Sequence, residues 1–429
     1  MAKPKLALIP ATQGSKLYSV LPADGVGDFN FSRNTVATRI NKDGLIETVA
    51  VGKSRLNYPL IDGVVNGCPS HLLEPQRTNG ITYSSDFESN VTSVGYTQED
   101  DNTISPDGTL NGARILETTG TTHLIQKTIS VSSTTDKYTA SFFVKSNGRN
   151  IGKIAYGLDG APYNSVSANF NLLSKSISNI NTSGSGASFV DSSIEDYGNG
   201  WFRVSISGVL GVTGTHYCRI QGLNDSGSSS YVGDVSKGFF VFGFQLEAGS
   251  FPTSYIPTTN SAVTRVAETA NGAGDASTFN DSEGVLMAEI SALEDTAYMA
   301  LGSDSNNRVM LGASNGNVRS YNKIGGTVID FTSSIIASNK NKLAIKYKSG
   351  NTDFYINGFK VFESSTVFSA STPFDEIIFG NLIGGTQNFY GNTKQIQYFD
   401  SALNDSDLET ITSWTSFTDL ANGQTYSIK

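Results

Sequence analysis

From Trp201 to Ser207 the chain reads Trp-Phe-Arg-Val-Ser-Ile-Ser, and its character changes at every step. Phe202, Val204 and Ile206 fall on one side of an extended backbone, with Trp201, Arg203, Ser205 and Ser207 on the other. A helix would scatter the same residues around its axis, so a half-buried strand is predicted. The alternation returns in residues 283–290, where Val285, Met287 and Glu289 oppose Leu286, Ala288 and Ile290. Between such runs stand residues that tolerate positive φ, as in Ser146-Asn147-Gly148, Gly198-Asn199-Gly200 and Ser349-Gly350-Asn351. Short alternating runs broken by tight turns predict an all-β chain.

The pattern divides the chain. Residues 1–83 hold Pro4, Pro10, Pro22, Pro59, Pro69 and Pro75, more than half of its 11 prolines. Proline lacks a ladder donor, so long central strands are disfavoured there. An extended N-terminal arm with small hairpins is predicted, one of them turning at Asp43-Gly44. A subdomain folded onto the next domain fits the same residues equally well. Residues 84–258 read as a β-sandwich with strands every 8–12 residues or so. Residues 259–282, with Asn271-Gly272-Ala273-Gly274, read as a linker. Residues 283–412 read as a second, jelly-roll-like β-sandwich, with Asn357-Gly358 closing a type I′ hairpin. One helix is predicted near residues 401–411, with Asn404 as N-cap and Asp405, Asp407 and Glu409 favouring its positive end. Residues 413–429 are left as a C-terminal tail. Residues 35–39 faintly echo residues 262–267, at a level chance can supply.

Charge and cysteine narrow the partners. The net charge is −9, from 30 basic and 39 acidic residues, with no basic run. Binding to nucleic acid through counterion release is therefore not expected. No stretch nears the roughly 20 apolar residues of a membrane span. The opening MAKPKLALIPATQGSK, broken by Pro10, lacks the form of a secretory leader. Folding in a cytoplasm is expected, without membrane insertion. Cys68 and Cys218 are too few for a disulfide scaffold and are expected to be unpaired.

Three segments carry a resemblance. Residues 28–79 contain DFNFSRNTVATRINKDGLIE, NYP and CPSHLLEPQRTN, which resemble the N-terminal part of tail- and head-fibre proteins of phages of Bacteroidetes-like hosts. Residues 198–265, GNGWFRVSISG through GFFVFGFQLEAGSFPTSYIPTTNSAVTR, look like the end of a carbohydrate-binding-module-like jelly roll of phage tail proteins. LAIKYKSGNTDFYINGFKVFES and IQYFDSALNDSDLETI resemble the concanavalin A-like and laminin-G-like fold. The resemblance implies a virion fibre assembled in the host cytoplasm. It also implies other virion structural proteins and host cell-surface polysaccharide as partners, and a homotrimer.

Catalysis finds little support in the residues. Glycoside hydrolysis needs two carboxylates flanking the bond. Only Glu99 has an aspartate two places on, Asp101, and Thr103 and Ile104 stand where a further glutamate belongs. His71, His123 and His216 are far apart, and no cofactor motif appears. Ca2+ is possible by analogy at Asp304 in SDSNN, where an Asx turn is the plainer reading. Sugar binding needs aromatic faces and planar amides. Tyr321 and Asn322 form one candidate cluster. Gln387, Asn388 and Tyr390 form a second within NLIGGTQNFYGN, and Tyr156, Tyr163 and Asn164 a third. Ordinary packing with a hydrogen-bonded hydroxyl is the stronger reading for each tyrosine alone, and Trp201 is assigned to the core. The expected function is a non-enzymatic fibre or spike that binds host glycans. An architectural decoration protein and a polysaccharide depolymerase are the alternatives.

Overall fold

In the computed structural model, which describes residues 3–13, 16–382 and 387–414, the chain is all-β apart from one helix. Trp201–Val209 lies in a six-stranded antiparallel sheet. Its order is Tyr96–Ile104, Leu110–Glu117, Gly238–Ala248, Tyr138–Asn147, Trp201–Val209, Ser188–Gly198. A second six-stranded sheet faces it, running Thr92–Val94, Leu124–Val131, Gly214–Gly222, Ile151–Leu158, Ser165–Asn171, Ser176–Ser183. Phe202, Val204 and Ile206 enter the core between them, where Phe142 stacks on Phe244 at 4.9 Å.

The other face of Trp201–Val209 is covered too, which corrects the half-buried reading. Trp201 packs with Phe143, Phe242 and Tyr255 against Ile40 and Ile46 of the hairpin formed by Ala37–Ile40 and Ile46–Val49. Its Nε1 donates to the Ile104 carbonyl at 2.9 Å. Arg203 is buried beside it, donating to the Thr253 carbonyl at 2.7 Å and Ser141 Oγ at 3.0 Å. Polar residues on this face find partners within the protein, Ser205 with Ser193 and Ser207 with Thr139, so alternation alone could not reveal the covering hairpin.

The C-terminal sandwich has a five-stranded sheet ordered Thr327–Ile336, Asn317–Ile324, Asn307–Ser314, Ala297–Asp304, Glu376–Ile378. It packs on a larger sheet containing Gly391–Phe399, Glu283–Ala292, Asn341–Lys348, Thr352–Ile356 and Phe359–Ser364. That sheet continues into the N-terminal region. Leu6–Gln13 pairs with Gly391–Phe399, setting Leu6 opposite Tyr398 and Leu8 opposite Ile396. Lys16–Leu21, Phe29–Ser32 and Thr269–Asn271 follow. The N-terminal strands and hairpins are thus present, but their own chain buries them: the last sandwich covers the first strands, and the first sandwich covers the hairpin of Ala37–Ile40 and Ile46–Val49. Leu8, Leu17, Phe29 and Phe31 share its core with Ile345 and Phe354.

Residues 259–282 are not a free linker. Val263–Arg265 pairs with Arg77–Asn79, and Thr269–Asn271 with Phe29–Ser32. Short strands between Gly- and Asn-rich turns have the composition of a linker, which is why sequence misleads here.

A buried ion network joins these parts. Glu268 accepts from Arg33 at 2.6 Å and from Arg55 through both carboxylate oxygens. Glu74 accepts from Arg55 at 2.7 Å and from the Ser254 amide at 2.7 Å, and forms an ion pair with Arg265 at 2.9 Å. All five charged side chains are almost fully buried. Burial opposes ionisation of Glu74, but Arg265, Arg55 and the Ser254 bonds outweigh it and hold the carboxyl at about 2. The two echoed segments also meet, through Val266 N donating to Thr35 Oγ1 at 3.1 Å.

Local predictions hold at the turns and the helix. Gly44 has φ +80° between its paired strands, and Asn357 and Gly358 have φ +52° and +90°. The helix is Asp405–Ser413, and Asn404 accepts from the Asp407 amide at 2.9 Å. Cys68 is exposed and Cys218 buried, both as free thiols. Of the proposed tail, residues 415–429 lie outside the described residues.

Candidate functional site

The predicted sugar-contact residues separate into structural and surface groups. Tyr156 is buried, its hydroxyl 2.8 Å from His216 Nδ1 and its ring stacked on Tyr138. Asn164 is fully buried and donates to the carbonyls of Ser185 at 2.8 Å and Leu210 at 2.6 Å. Asn322 turns inward with Val318 and Ile324, and neither of its amide atoms has a partner among the described residues. Tyr390 joins the sandwich core and takes a hydrogen bond from Asn388 at 3.2 Å. These four are architectural, because the strand period and loop closure turn them away from solvent. Tyr163 is exposed but stands alone at a positive-φ turn.

Tyr321 lies on the outer face of the five-stranded sheet beside Tyr298, and Gln387 and Asn388 meet the backbone of Tyr298 at the edge of that face. The Tyr321 ring lies between the guanidinium groups of Arg308 and Arg319, at 5.5 and 5.0 Å. Arg319 is held by Asp330 at 2.7 Å and the Tyr298 hydroxyl at 2.8 Å. Gln387 accepts from Asn381 Nδ2 at 2.9 Å, and its carbonyl accepts from the Tyr298 amide. Residues 383–386 of the predicted loop lie outside the described residues. Asp304 forms an Asx turn: the Asn306 amide and Thr372 Oγ1 hold its carboxyl below the usual range. No group of three metal-ligating side chains occurs among the described residues.

The residues that sequence reading missed lie on the outer face of the large sheet. Leu286, Ala288 and Ile290 face the core, so Val285, Met287 and Glu289 face outward. Val285 and Met287 are covered by the helix through Leu408 and Ile411. Glu289 lies beyond it, and register sets it opposite Lys342 on one side and Gln395 on the other. Gln395 donates to Glu289 at 3.0 Å and accepts from Gln397 at 2.9 Å. One extra residue, Lys394, interrupts the pairing between Glu289–Gln395 and Ile290–Thr393. Such a bulge re-aims a side chain, and Lys394 lines the same outer face as Gln395. Lys340 reaches Glu289 at 3.5 Å.

Two walls turn this row into a groove of about 650 Å3. Trp414, at the end of the helix, forms one. Pro59, Ile61, Cys68 and Pro69 of the N-terminal region form the other. An adjoining hollow of about 240 Å3 adds Asn57, Ser291 and Asn392. The groove therefore offers an indole, an amide, a carboxylate and three ammonium groups on a rigid sheet. One sequence signal was available: Lys340, Lys342, Lys346 and Lys348 keep even spacing opposite apolar Leu343, Ile345 and Tyr347. A second cleft, of about 550 Å3, lies between the sandwiches and holds Arg77, Phe251, Asp136 and Glu294.

No family model and no curated protein matches this chain. Several solved structures are similar to it. The CBM40 of Ruminococcus gnavus IT-sialidase bound to α2,3-sialyllactose is 15% identical, with TM-score 0.30, over 33% of this chain and 88% of that one. A SAP-like pentraxin from Limulus polyphemus is 11% identical, with TM-score 0.28, over 32% and 71%. Domains LG4-5 of mouse laminin α1 are 10% identical, with TM-score 0.23, over 76% and 94%. At such scores the likeness carries no functional argument, and the β-sandwich fold rests on the strand order above.

Proposed function

We propose that the chain binds glycans without altering them, as a fibre or spike subunit of a phage virion assembled in the host cytoplasm. The observation that carries the binding role is the groove beside Glu289. Trp414 offers an apolar face to a sugar ring. Glu289 and Gln395 together accept from and donate to hydroxyl groups, and the sheet fixes their spacing. The non-enzymatic reading is supported by the groove's lining, in which Glu289 is the one carboxylate among the described residues, whereas hydrolysis uses a flanking pair. A glycan array probed with the full chain should give signals that Gln395→Ala and Trp414→Ala abolish while circular dichroism stays native. Signals indifferent to both changes would remove the groove from the proposal.

The virion role rests on the resemblance of residues 28–79 and 198–265, with a homotrimer and other virion proteins as partners. Immunolabelling of purified particles tests the location, and sedimentation of the purified chain tests for three copies. An architectural decoration role is the second reading. It is favoured because the first strands are bonded into the chain's own last sandwich rather than left as a docking arm. Particles whose adsorption is unchanged by Gln395→Ala, with a blank array, would favour decoration.

A further inference from the structure

We propose that the groove takes an anionic polysaccharide, its acidic substituents paired with Lys340, Lys342 and Lys394. This inference rests on the glycan reading of the same groove. Three ammonium groups line it against one carboxylate, in a chain whose net charge is −9. Local charge is therefore inverted relative to the whole molecule. Lys394 donates to the Cys68 carbonyl at 2.7 Å and has no carboxylate partner among the described residues. Lys342 likewise has none. Burial, with Lys340 beside it, holds Lys342 below the usual lysine range although Glu289 opposes the shift. Glu289 is already shared between Lys340 and Gln395. An ammonium that is half desolvated and short of counter-charge gains from an incoming anion.

The lining also distinguishes a glycan from an acidic peptide. Glu289 at the centre of the row would repel a segment with a carboxylate at every position. It would accept from the hydroxyls of a sugar whose acidic groups are spaced by neutral atoms. Uronate carboxylates and sulfate esters share this chemistry, since lysine recognises either as a point charge.

The test is an array of uronate-bearing, sulfated and neutral oligosaccharides, with polyglutamate as competitor, using the full chain. Acidic glycans should bind, and either the uronate or the sulfate arm identifies the substituent. Lys342→Gln with Lys394→Gln should weaken that binding by about tenfold. Added salt should weaken wild-type binding more than that of the double variant. Lys340→Gln, at an exposed position, provides a variant whose folding is not in question. Equal binding of the neutral and the acidic oligosaccharides would overturn the anionic claim and leave glycan binding standing. Equal competition by polyglutamate would replace the glycan with a peptide. Acidic binding that survives all three lysine changes would move the site elsewhere. An array blank for acidic and neutral sugars alike would instead sink the glycan reading beneath it.

Discussion

His71 is where mild acid should first act on the fold. It is fully buried between Phe31 and Phe379, and neither ring nitrogen has a partner among the described residues. Burial, with the charge of Arg55 added, pushes the ring down to about 3. The unfolded chain takes up a proton below about pH 6.5 that the folded chain refuses, so stability falls as pH drops from there. By pH 5 the loss should approach about 2 kcal/mol. Urea unfolding should show that slope, and His71→Leu should flatten it. An unchanged slope in the variant would assign the acid response elsewhere. Glu74, held at about 2, is ionised over that window and loses its contribution only below its unfolded value near 4.5. Glu268 should be more critical still. Glu268→Gln leaves Arg33 and Arg55 buried with less counter-charge and should cost about 3–5 kcal/mol, read as a fall in denaturant midpoint. Single residues were legible in sequence where their role is local: Asn404 caps its helix, and Trp201 is buried. The Arg33–Glu268 and Arg55–Glu268 pairs were not, because partners more than 200 residues apart leave no local pattern.

Helix and hairpins follow local chemistry, so their predictions are local as well. Asn404→Ala removes the acceptor of the Asp407 amide and should cost about 1 kcal/mol, measurable by thermal melting. The helix covers Val285, Met287 and Phe399, so a midpoint that does not move would mean the cap is idle. The Asp43-Gly44 and Asn357-Gly358 turns were readable because φ is positive at Gly44, Asn357 and Gly358. The meander from Ala297–Asp304 to Thr327–Ile336 was harder to read. Its strands bury Asn307, Arg308, Ser320 and Asn322, so polar residues do not mark its outer face. The bulge at Lys394 was invisible for a different reason. It is a mismatch between two strands and belongs to neither sequence alone.

At the scale of the molecule, the N-terminal region is a component of both sandwiches. It covers Trp201 on one and extends the sheet of the other. Deleting residues 1–80 would strip Leu8, Phe29 and Phe31 from the C-terminal core and expose the edge of Gly391–Phe399. An exposed apolar edge strand invites aggregation. The truncated chain should sediment as aggregate; a monodisperse product with an unchanged melting midpoint would show the region to be dispensable. The groove depends on the same arrangement, since its far wall is Pro59 to Pro69. Its floor was partly foreshadowed by alternation in the sheet, but no property of the sequence announced that wall. The pairing of Leu6–Gln13 with Gly391–Phe399 also has a consequence for synthesis. Leu6–Gln13 leaves the ribosome long before Gly391–Phe399 and must wait for it before the ladder between them can close. At about 5–20 residues per second that wait is on the order of tens of seconds. A nascent chain halted before Gly391 should therefore leave its opening strands open to protease while the first sandwich is already protected.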